Sequence, residues 1–553
     1  MGDVSIRLES TDLNNTLVSA LIPTSVTVHY GINSIPYVEL SINPIADGVT
    51  GDTFIQICNF DKIYRRKQLS VIISTHVIAG NRDQNVCLRF DGIIDGLSFS
   101  QSPGGLTTQL VVKHKMQWLT EVAPKIVGIH PSSVDVFQLP AALDWQRDPA
   151  TGDIILSRTL SGAGPPGLDN TGNIIDWYVG LLRAAVTSQK EVTLSVEENA
   201  SEYLALGSIL KSQDIYKENG LADTVLDLID SIDTSAIQGL PFKAGMAYLT
   251  GFIADTLVSM RDNIFANLVR FSAEMGCCVV VGRQKTFIVP EAAYLNVPKP
   301  GTPALRQVSS LNNTILPSEF ENFTFNDNGF VNIKGVYIVH DPNTNQYATL
   351  QINNTDYGVF VDTDPEARGN IVFTHLPQYA SIGLANAIDG GEGTQQVLGG
   401  AKQNDPNNPL LAGQLKLEDA VDSAIKMSDN ALVAQSRIRT FMDAWAQMAY
   451  CKMKYDDRTG SFNAVYNNAW APGAMGYLYT RLPGIYCDFF VTGVTHNFQL
   501  NIPNGGSIVT TVSFKGGRLG PTANTGLPKV ALYDYSWTNA QQFTNMFLDD
   551  VRG

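Results

Sequence analysis

Cys87-Leu-Arg-Phe-Asp-Gly-Ile-Ile-Asp-Gly-Leu97, followed by Pro103-Gly-Gly105 and an apolar strand, has a counterpart near the other end of the chain. The counterpart reads Phe490-Val-Thr-Gly-Val-Thr-His-Asn-Phe498, then Pro503-Asn-Gly-Gly506, then Val509–Phe514. A slide of 401 residues puts Gly92 on Gly493, Gly104 on Gly505 and Gly105 on Gly506 without a gap. β-branched and aromatic residues flanking a Pro/Gly turn specify an antiparallel strand pair. Two such pairs in one chain predict a duplicated β module. A chain with two copies of one interface-forming module can close a three-chain ring presenting six similar surfaces, which suits a symmetry adaptor.

The surrounding sequence extends each module. In residues 1–118, Leu17–Tyr30, Tyr37–Ile42, Phe54–Cys58, Leu69–Val77, Val86–Phe99 and Leu106–Lys113 carry strand composition and are mostly bounded by Gly, Pro, Asn or Asp. Six short strands with tight turns predict a small closed or half-closed antiparallel barrel. Strand signals return at Glu319–Asn326, Phe330–His340 and Ala348–Val361, and these, with 450–520, form the expected second barrel.

Between the barrels the pattern turns helical. Asn173–Val186, Leu221–Ile232 and Ile253–Met275 have apolar residues at helical spacing, and the last meets Gly276, a helix terminator. Cys277–Val281 and Lys285–Val289 read as a hairpin. A Gly/Asn/Pro-rich stretch, Gly390–Gly413, reads as a mobile loop, and Leu417–Tyr450 as a long amphipathic helix packed on a barrel. The fold class expected is α+β, mostly β. It comprises two similar antiparallel β-barrel domains (1–118, and 311–365 with 450–520), an inserted α+β domain (119–310), a loop and long helix (366–449) and a C-terminal tail (521–553). A tail rich in exposed apolar residues, with Tyr533, Tyr535 and Trp537 ahead of Phe543, Met546, Phe547 and Val551, is expected to dock on a partner.

Composition excludes several function classes. The chain has 553 residues, enough for several domains, and 44% are hydrophobic, which argues against wholesale disorder. Charged residues make up 16%, below the roughly 25% typical of soluble domains, as expected where surface is buried in an assembly. The net charge of −15 opposes an extended nucleic-acid footprint. The one basic run, Lys62, Arg65, Arg66 and Lys67 around Tyr64, reads as a solvated turn or a subunit contact. No signal-peptide pattern opens the sequence and no apolar run approaches the roughly 20 residues that span a bilayer, so a protein built in the cytosol with reduced cysteines is expected.

Motifs for chemistry are missing from the sequence. There is no His-Glu-x-x-His, Cys-x-x-Cys or Gly-x-Ser-x-Gly, and the seven histidines lack metal-ligand spacing. Cys277 and Cys278, adjacent on a strand, point to opposite faces and read as core residues. Gly390-Gly-Glu-Gly393 and Gly399-Gly-Ala-Lys402 lack the ending of a phosphate loop. His496 is expected to make a structural hydrogen bond. No catalytic residue, metal site or cofactor is therefore expected.

Phe441–His496 resembles the final third of phage tail hub proteins and the related part of type VI secretion spikes. The likeness runs from a helix with Trp445 and Ala446, through a strand, to Pro472-Gly473, Gly484-Ile-Tyr486 and Val491-Thr-Gly-Val-Thr-His496. Phe90-Asp-Gly-Ile-Ile-Asp95 resembles the matching strand of the family's first barrel, and the hairpin ending Ile288-Val-Pro290 is similar to one in its middle domain. The resemblance implies a baseplate hub of a contractile phage tail. Such a hub is a homotrimer whose two barrels per chain form a pseudo-sixfold ring joining the hexameric tail tube, or a tube-initiator ring, to the central spike. It further implies contacts with tape-measure and baseplate wedge proteins, residence in the virion and an acidic channel that does not hold DNA, with no sequence-specific nucleic-acid binding and no membrane insertion. Two other classes stand beside it: a receptor- or carbohydrate-binding tail component, a role that β-rich domains bearing Trp and Tyr also serve, and a tail-associated peptidoglycan hydrolase with its site in 120–260. The adaptor reading expects no clearing of a peptidoglycan gel and no stoichiometric zinc; either result would displace it.

Overall fold

A computed structural model describes residues 2–19, 21–42, 60–79, 82–102, 105–122, 221–237, 262–274, 276–291, 314–327, 333–339, 350–352, 355–357, 359–362, 369–375, 446–454, 456–465, 470–482, 485–500, 507–520 and 537–553, with islands at 145–147, 154–156, 175, 179 and 182–183. The chain is mostly β. In chain order, β1 (Gly2–Glu9), β2 (Pro23–Gly31), β3 (Tyr37–Ile42), β4 (Gln68–Ala79), β5 (Arg82–Ser102) and β6 (Gly105–His114) make the first half of one large sheet. A small pair, β7 (Trp145–Arg147) and β8 (Ile154–Leu156), follows. Then β9 (Ile232–Asp233), β10 (Cys277–Val281) and β11 (Thr286–Pro290) form a separate three-stranded sheet. The second half of the large sheet draws on β12 (Thr314–Ile315) and β13 (Phe320–Asp327). After β14 (Ile333–Val339), β15 (Leu350–Ile352), β16 (Thr355–Tyr357), β17 (Val359–Val361) and β18 (Asn370–His375) it resumes with β19 (Arg458–Val465), β20 (Met475–Tyr479), β21 (Tyr486–Gln499) and β22 (Ser507–Gly520).

The large sheet runs β1-β4-β5-β6-β3-β2-β21-β22-β19-β13, with β20 paired to β21 and β12 to β20. Every second residue on its central strands enters one core. Val26 and Val28, Val38 and Leu40, Leu110 and Val112, Phe462 and Ala464, and Val494 and Phe498 are all buried. That period-2 pattern locks the register, because a slip of one residue would turn each apolar set outward.

The duplication lies in the strand order. β5-β6-β3-β2 in one half recurs as β21-β22-β19-β13 in the other. A bulge separates Ile94 from Gly96 in β5, after which Gly96 faces Val111; a bulge separates Val491 from Gly493 in β21, after which Gly493 faces Ser513. The main chain of Ile94 donates to Lys67 (2.9 Å) and accepts from Arg66 (2.8 Å); that of Val491 donates to Ala474 (2.9 Å) and accepts from Gly473 (2.8 Å). Arg66 and Gly473 both sit at positive φ, 64° and 77°.

These pairings correct the glycine alignment. Gly493 corresponds to Gly96, not to Gly92, because β21 and β22 are joined across Gln499–Ser507 and β5 and β6 only across Ser102–Gly105. Extra residues in a hairpin connection move one strand of an antiparallel pair against the other in sequence, so no gap-free slide can match both. The glycines' surroundings agree. A Cβ on Gly96 or Gly493 would meet nothing nearer than 3.9 and 3.5 Å, whereas one on Gly92 would lie 2.5 Å from the Lys113 carbonyl oxygen.

Other expectations are also revised. No sheet closes into a barrel among the described residues, because β2 pairs with β21 of the other half instead of closing its own. Within 311–365 only β12 and β13 join the large sheet. β14 pairs with β17 and, in parallel, with β18, a strand that falls where a loop is expected. Leu17–Tyr30 is not one strand, since the Asn14 side chain accepts from the Leu17 amide and starts the short helix Asn15–Ser19. Of the helix expected over Ile253–Met275, 253–261 lie outside the described residues; the described helix begins at Ile264, where Asn263 caps the Ala266 amide, and gives way to Gly276 with φ 70°. Leu221–Asp230 is helical as its spacing predicts. Most of Asn173–Val186, Phe54–Cys58, Gly390–Gly413 and most of Leu417–Tyr450 lie outside the described residues; the last ends in a helix over 446–454.

Gly92→Ala should lower the unfolding temperature by several degrees, as overpacking costs about 1–3 kcal/mol. Gly96→Ala and Gly493→Ala should leave it unchanged or raise it slightly, since Ala reduces unfolded-state freedom. Thermal denaturation of the three variants checks this, and equal effects at Gly92 and Gly96 would contradict the assigned counterparts.

Candidate functional site

The two halves of the sheet meet along one ladder. β2 and β21 pair antiparallel over seven positions, from Ser25 opposite Gln499 to Gly31 opposite Gly493. Val26, Val28 and Tyr30 from one side and Val494, His496 and Phe498 from the other are buried along it. The ladder continues into β10, because Ile32 bridges to Val280, the Asn33 amide donates to the Val279 carbonyl (2.7 Å) and the Asn33 side chain accepts from the Val279 amide (2.8 Å). Asn33 takes the left-handed conformation this requires, with φ 55°.

The C-terminal helix Trp537–Arg552 closes over that corner. Phe543 and Phe547 contact the Phe287 ring edge-on, and Phe547 also contacts Tyr30 at 5.5 Å. Near its end the Asp550 carboxylate accepts from the Arg283 and Gln284 amides in the β10–β11 turn, at 2.6 and 3.0 Å. Of the tail expected to dock on a partner, the helix buries Phe543, Phe547, Leu548 and Val551 in its own chain and leaves Met546 exposed, while 521–536, with Tyr533 and Tyr535, lie outside the described residues. The apolar residues are right for a binding surface, but a buried hairpin and Tyr30 supply the surface within the fold.

Charged groups fasten the same corner. Arg283 Nε donates to Asp91 Oδ2 at 2.6 Å, and Ser70 and Arg89 also donate to Asp91. Burial alone would raise the Asp91 carboxyl, yet these donors outweigh it and hold it at about 2. His114 Nε2 lies 2.8 Å from the Arg283 carbonyl oxygen; burial drives its imidazole down to about 4, partly opposed by that bond. His496 Nδ1 lies 2.9 Å from Thr510 Oγ1, the structural bond expected of it, and burial, with Arg552 nearby, lowers it to about 4. On the far side Glu291, buried at the end of β11, pairs with Lys515 and with Lys452 (3.2 Å).

The groups singled out in the sequence are placed in structural roles. Cys277 and Cys278 are both buried in β10, as core residues should be, and burial pushes the Cys278 thiol up to about 12, which favours its neutral form. Of the basic run, Arg65 pairs with Asp61 (3.1 Å), Arg66 pairs with Glu121 (3.3 Å) and lies over Trp118, and Tyr64 is buried. No group of three His, Cys, Asp or Glu side chains is placed to hold a metal among the described residues, nor is any described helix long and apolar enough to cross a membrane. The large sheet presents edges. β13 pairs with β19 on one side, and no described strand pairs along its other side. β4 pairs with β5 only as far as Ile93, so along the Gly96–Ser102 half of β5 the ladder partner is β6 alone among the described strands. Phe99, in that half, is 57% exposed. These edges escaped the sequence reading, because whether a strand is central or terminal depends on its neighbours, not on its composition.

No family model matches the sequence, and no curated protein matches it. Solved structures do align with it. A tail protein from Neisseria meningitidis aligns at TM-score 0.38 and 9% identity, over 93% of this chain and 96% of its own. The 43 kDa tail protein of prophage MuSo2 from Shewanella oneidensis aligns at 0.39 and 7%, over 93% and 98%. A component of the type VI secretion system from E. coli, described as structurally similar to T4 bacteriophage tail proteins, aligns at 0.31 and 6%, over 96% and 78%.

The buried histidines set the acid response. With folded pKa values near 4 against about 6.5 unfolded, His114 and His496 contribute stability that is complete above about pH 6.5 and lost as pH falls towards 4. Asp91, held at about 2, adds its loss only below about pH 4. Unfolding temperature should therefore decline steadily from pH 6.5 to pH 4.5. A flat profile over that window would show that these imidazoles titrate normally.

Proposed function

We propose that this chain is a structural protein of a phage tail, a baseplate hub in which three copies form a ring around the tail axis. The observation that carries the reading is the strand order β5-β6-β3-β2 repeated as β21-β22-β19-β13 within one chain. Two alike units per chain give three copies six alike positions, so one face can meet a sixfold tube while the assembly keeps the threefold symmetry of a spike. The resemblance of Phe441–His496 and Phe90–Asp95 to tail hub proteins supports the same assignment. In this reading the two half-sheets are the tube-type units, the β9–β11 sheet with its helices is the inserted domain, and the chain resides in the virion. It is joined to tube and spike and lines the channel between them.

A ring also accounts for the edges. An open sheet edge invites uncontrolled pairing unless a neighbour covers it, and closure by identical copies can cover complementary edges at every contact of the ring. The buried residues at the corner of the molecule act as fasteners in this reading, and the work of the protein is to hold a diameter and a symmetry.

Assembled tails purified from producing cells should contain three copies of this chain per tail, and their images should show a ring of six similar densities with threefold differences. One or six copies per tail would overturn the reading.

A further inference from the structure

The junction β2–β21 is one half of a pair that the chain makes only once. The strand correspondence extends to it. β2 occupies in the first half the place of β13 in the second, and β21 occupies in the second the place of β5 in the first. The matched bulges and the β3–β6 and β19–β22 ladders fix the equivalence residue by residue. Val38 opposite Val112 matches Gly460 opposite Phe514, and on the next strands His29, opposite Tyr37, matches Asn326, opposite Thr459. Carried across, the in-chain pairs Val28 with His496 and His29 with Thr495 become Phe325 with Phe99 and Asn326 with Ser98. Phe325 and Asn326 lie on the outer side of β13, and Ser98 and Phe99 on the Gly96–Ser102 half of β5 beyond its pairing with β4; neither stretch has a further described strand beside it.

We propose that copies of this chain join by adding β13 of one copy, antiparallel, to the Gly96–Ser102 half of β5 in the next, with Phe325 opposite Phe99. This deepens the ring reading and rests on it, by naming the contact that repeats around the ring. The occupant of each edge is a second copy because the complementary edge is present on every chain and fits by the same register that the chain already uses internally. The contact is head-to-tail, since the two edges differ, and such contacts propagate until a ring closes.

Burial points the same way. His496 is 2% exposed in the in-chain junction, while Phe99, its counterpart, is 57% exposed in the single chain. A strand pair at this site would remove from water an aromatic ring that a lone chain leaves uncovered. The bulge adds a further match. The Thr492 carbonyl, at the bulge of β21, accepts from the Ile32 amide at 2.9 Å just past the end of β2. Asp95 occupies the corresponding bulge of β5.

Engineered disulfides test the register. In a Cys87→Ser background, which removes the one exposed native thiol among the described residues, Asn326→Cys is combined with Ser98→Cys. Both positions are exposed, so folding should be retained. Directly opposed residues in an antiparallel pair have Cα atoms about 4.5–5.5 Å apart, within disulfide range, whereas Cα separations above about 7 Å are not bridged. Mild oxidation of the purified protein should therefore give covalent dimers and trimers on a denaturing gel. Asn326→Cys combined with Ser100→Cys, displaced by two residues, should give at least tenfold less. Native mass is measured in parallel. A three-copy mass without covalent species, or stronger crosslinking by the displaced pair, overturns the strand pairing and leaves the ring intact. A single-copy mass without covalent species likewise overturns the pairing, and the ring itself stands or falls on the copy number in assembled tails.

Discussion

The antiparallel ladder between β2 and β21 is the constraint on which the rest of the molecule depends. These strands lie 462 positions apart in sequence at their closest paired residues, Gly31 and Gly493. Holding them together makes one continuous sheet out of two units that would otherwise each present an unfilled edge. Backbone pairing needs no particular side chains, but its alternation puts Val26, Val28 and Tyr30 beside Val494, His496 and Phe498. The ladder therefore brings an apolar core with it, and burying such side chains contributes about 1.5–3 kcal/mol each.

A second layer of the structure protects that ladder. The β10–β11 hairpin is buried on both faces, which is unusual for a strand pair unless something covers each side. The helix Ile264–Glu274 packs against β10, and Phe543 and Phe547 of the C-terminal helix contact Phe287 of β11. The tight turn Gly282–Lys285 is then held by Asp550 from the helix and by Asp91 from β5, through the backbone and side chain of Arg283 respectively. A buried carboxylate without donors would be costly. Here Asp550 accepts from backbone amides of the turn and Asp91 pairs with Arg283, so these bonds fix geometry between elements distant in sequence.

The two units differ where they meet different neighbours and are alike where backbone geometry leaves no choice. At the bulge the equivalent residues are Gly96 and Gly493, and the equivalent positive-φ positions are Arg66 and Gly473. A left-handed Arg is uncommon. Arg66 is held there by its amide bond to Ile94 and by the contacts of its guanidinium with Glu121 and Trp118. Gly473 meets Val280 and Phe543 closely, so the second unit keeps glycine where the inserted sheet and C-terminal helix press against it.

By itself the sequence determined the local events: strand composition in 1–118, the helix Leu221–Asp230, the hairpin of Cys277–Val281, the stop at Gly276 and a repeated strand pair at each end of the chain. These depend on periodicity, turn residues and backbone sterics, all of which are encoded within a few residues. The structural bond of His496 was legible for the same reason, since a histidine on the buried face of a strand needs a partner nearby. What only the tertiary structure decided was pairing across distance. It set which glycines are true counterparts, that β2 joins β21 instead of closing a barrel, that the C-terminal helix is buried in its own chain, and which strands are left as edges. Composition specifies that a residue belongs to a strand, but backbone hydrogen bonds are the same for every residue, so the choice of neighbour is made by the global fit of cores and connection lengths.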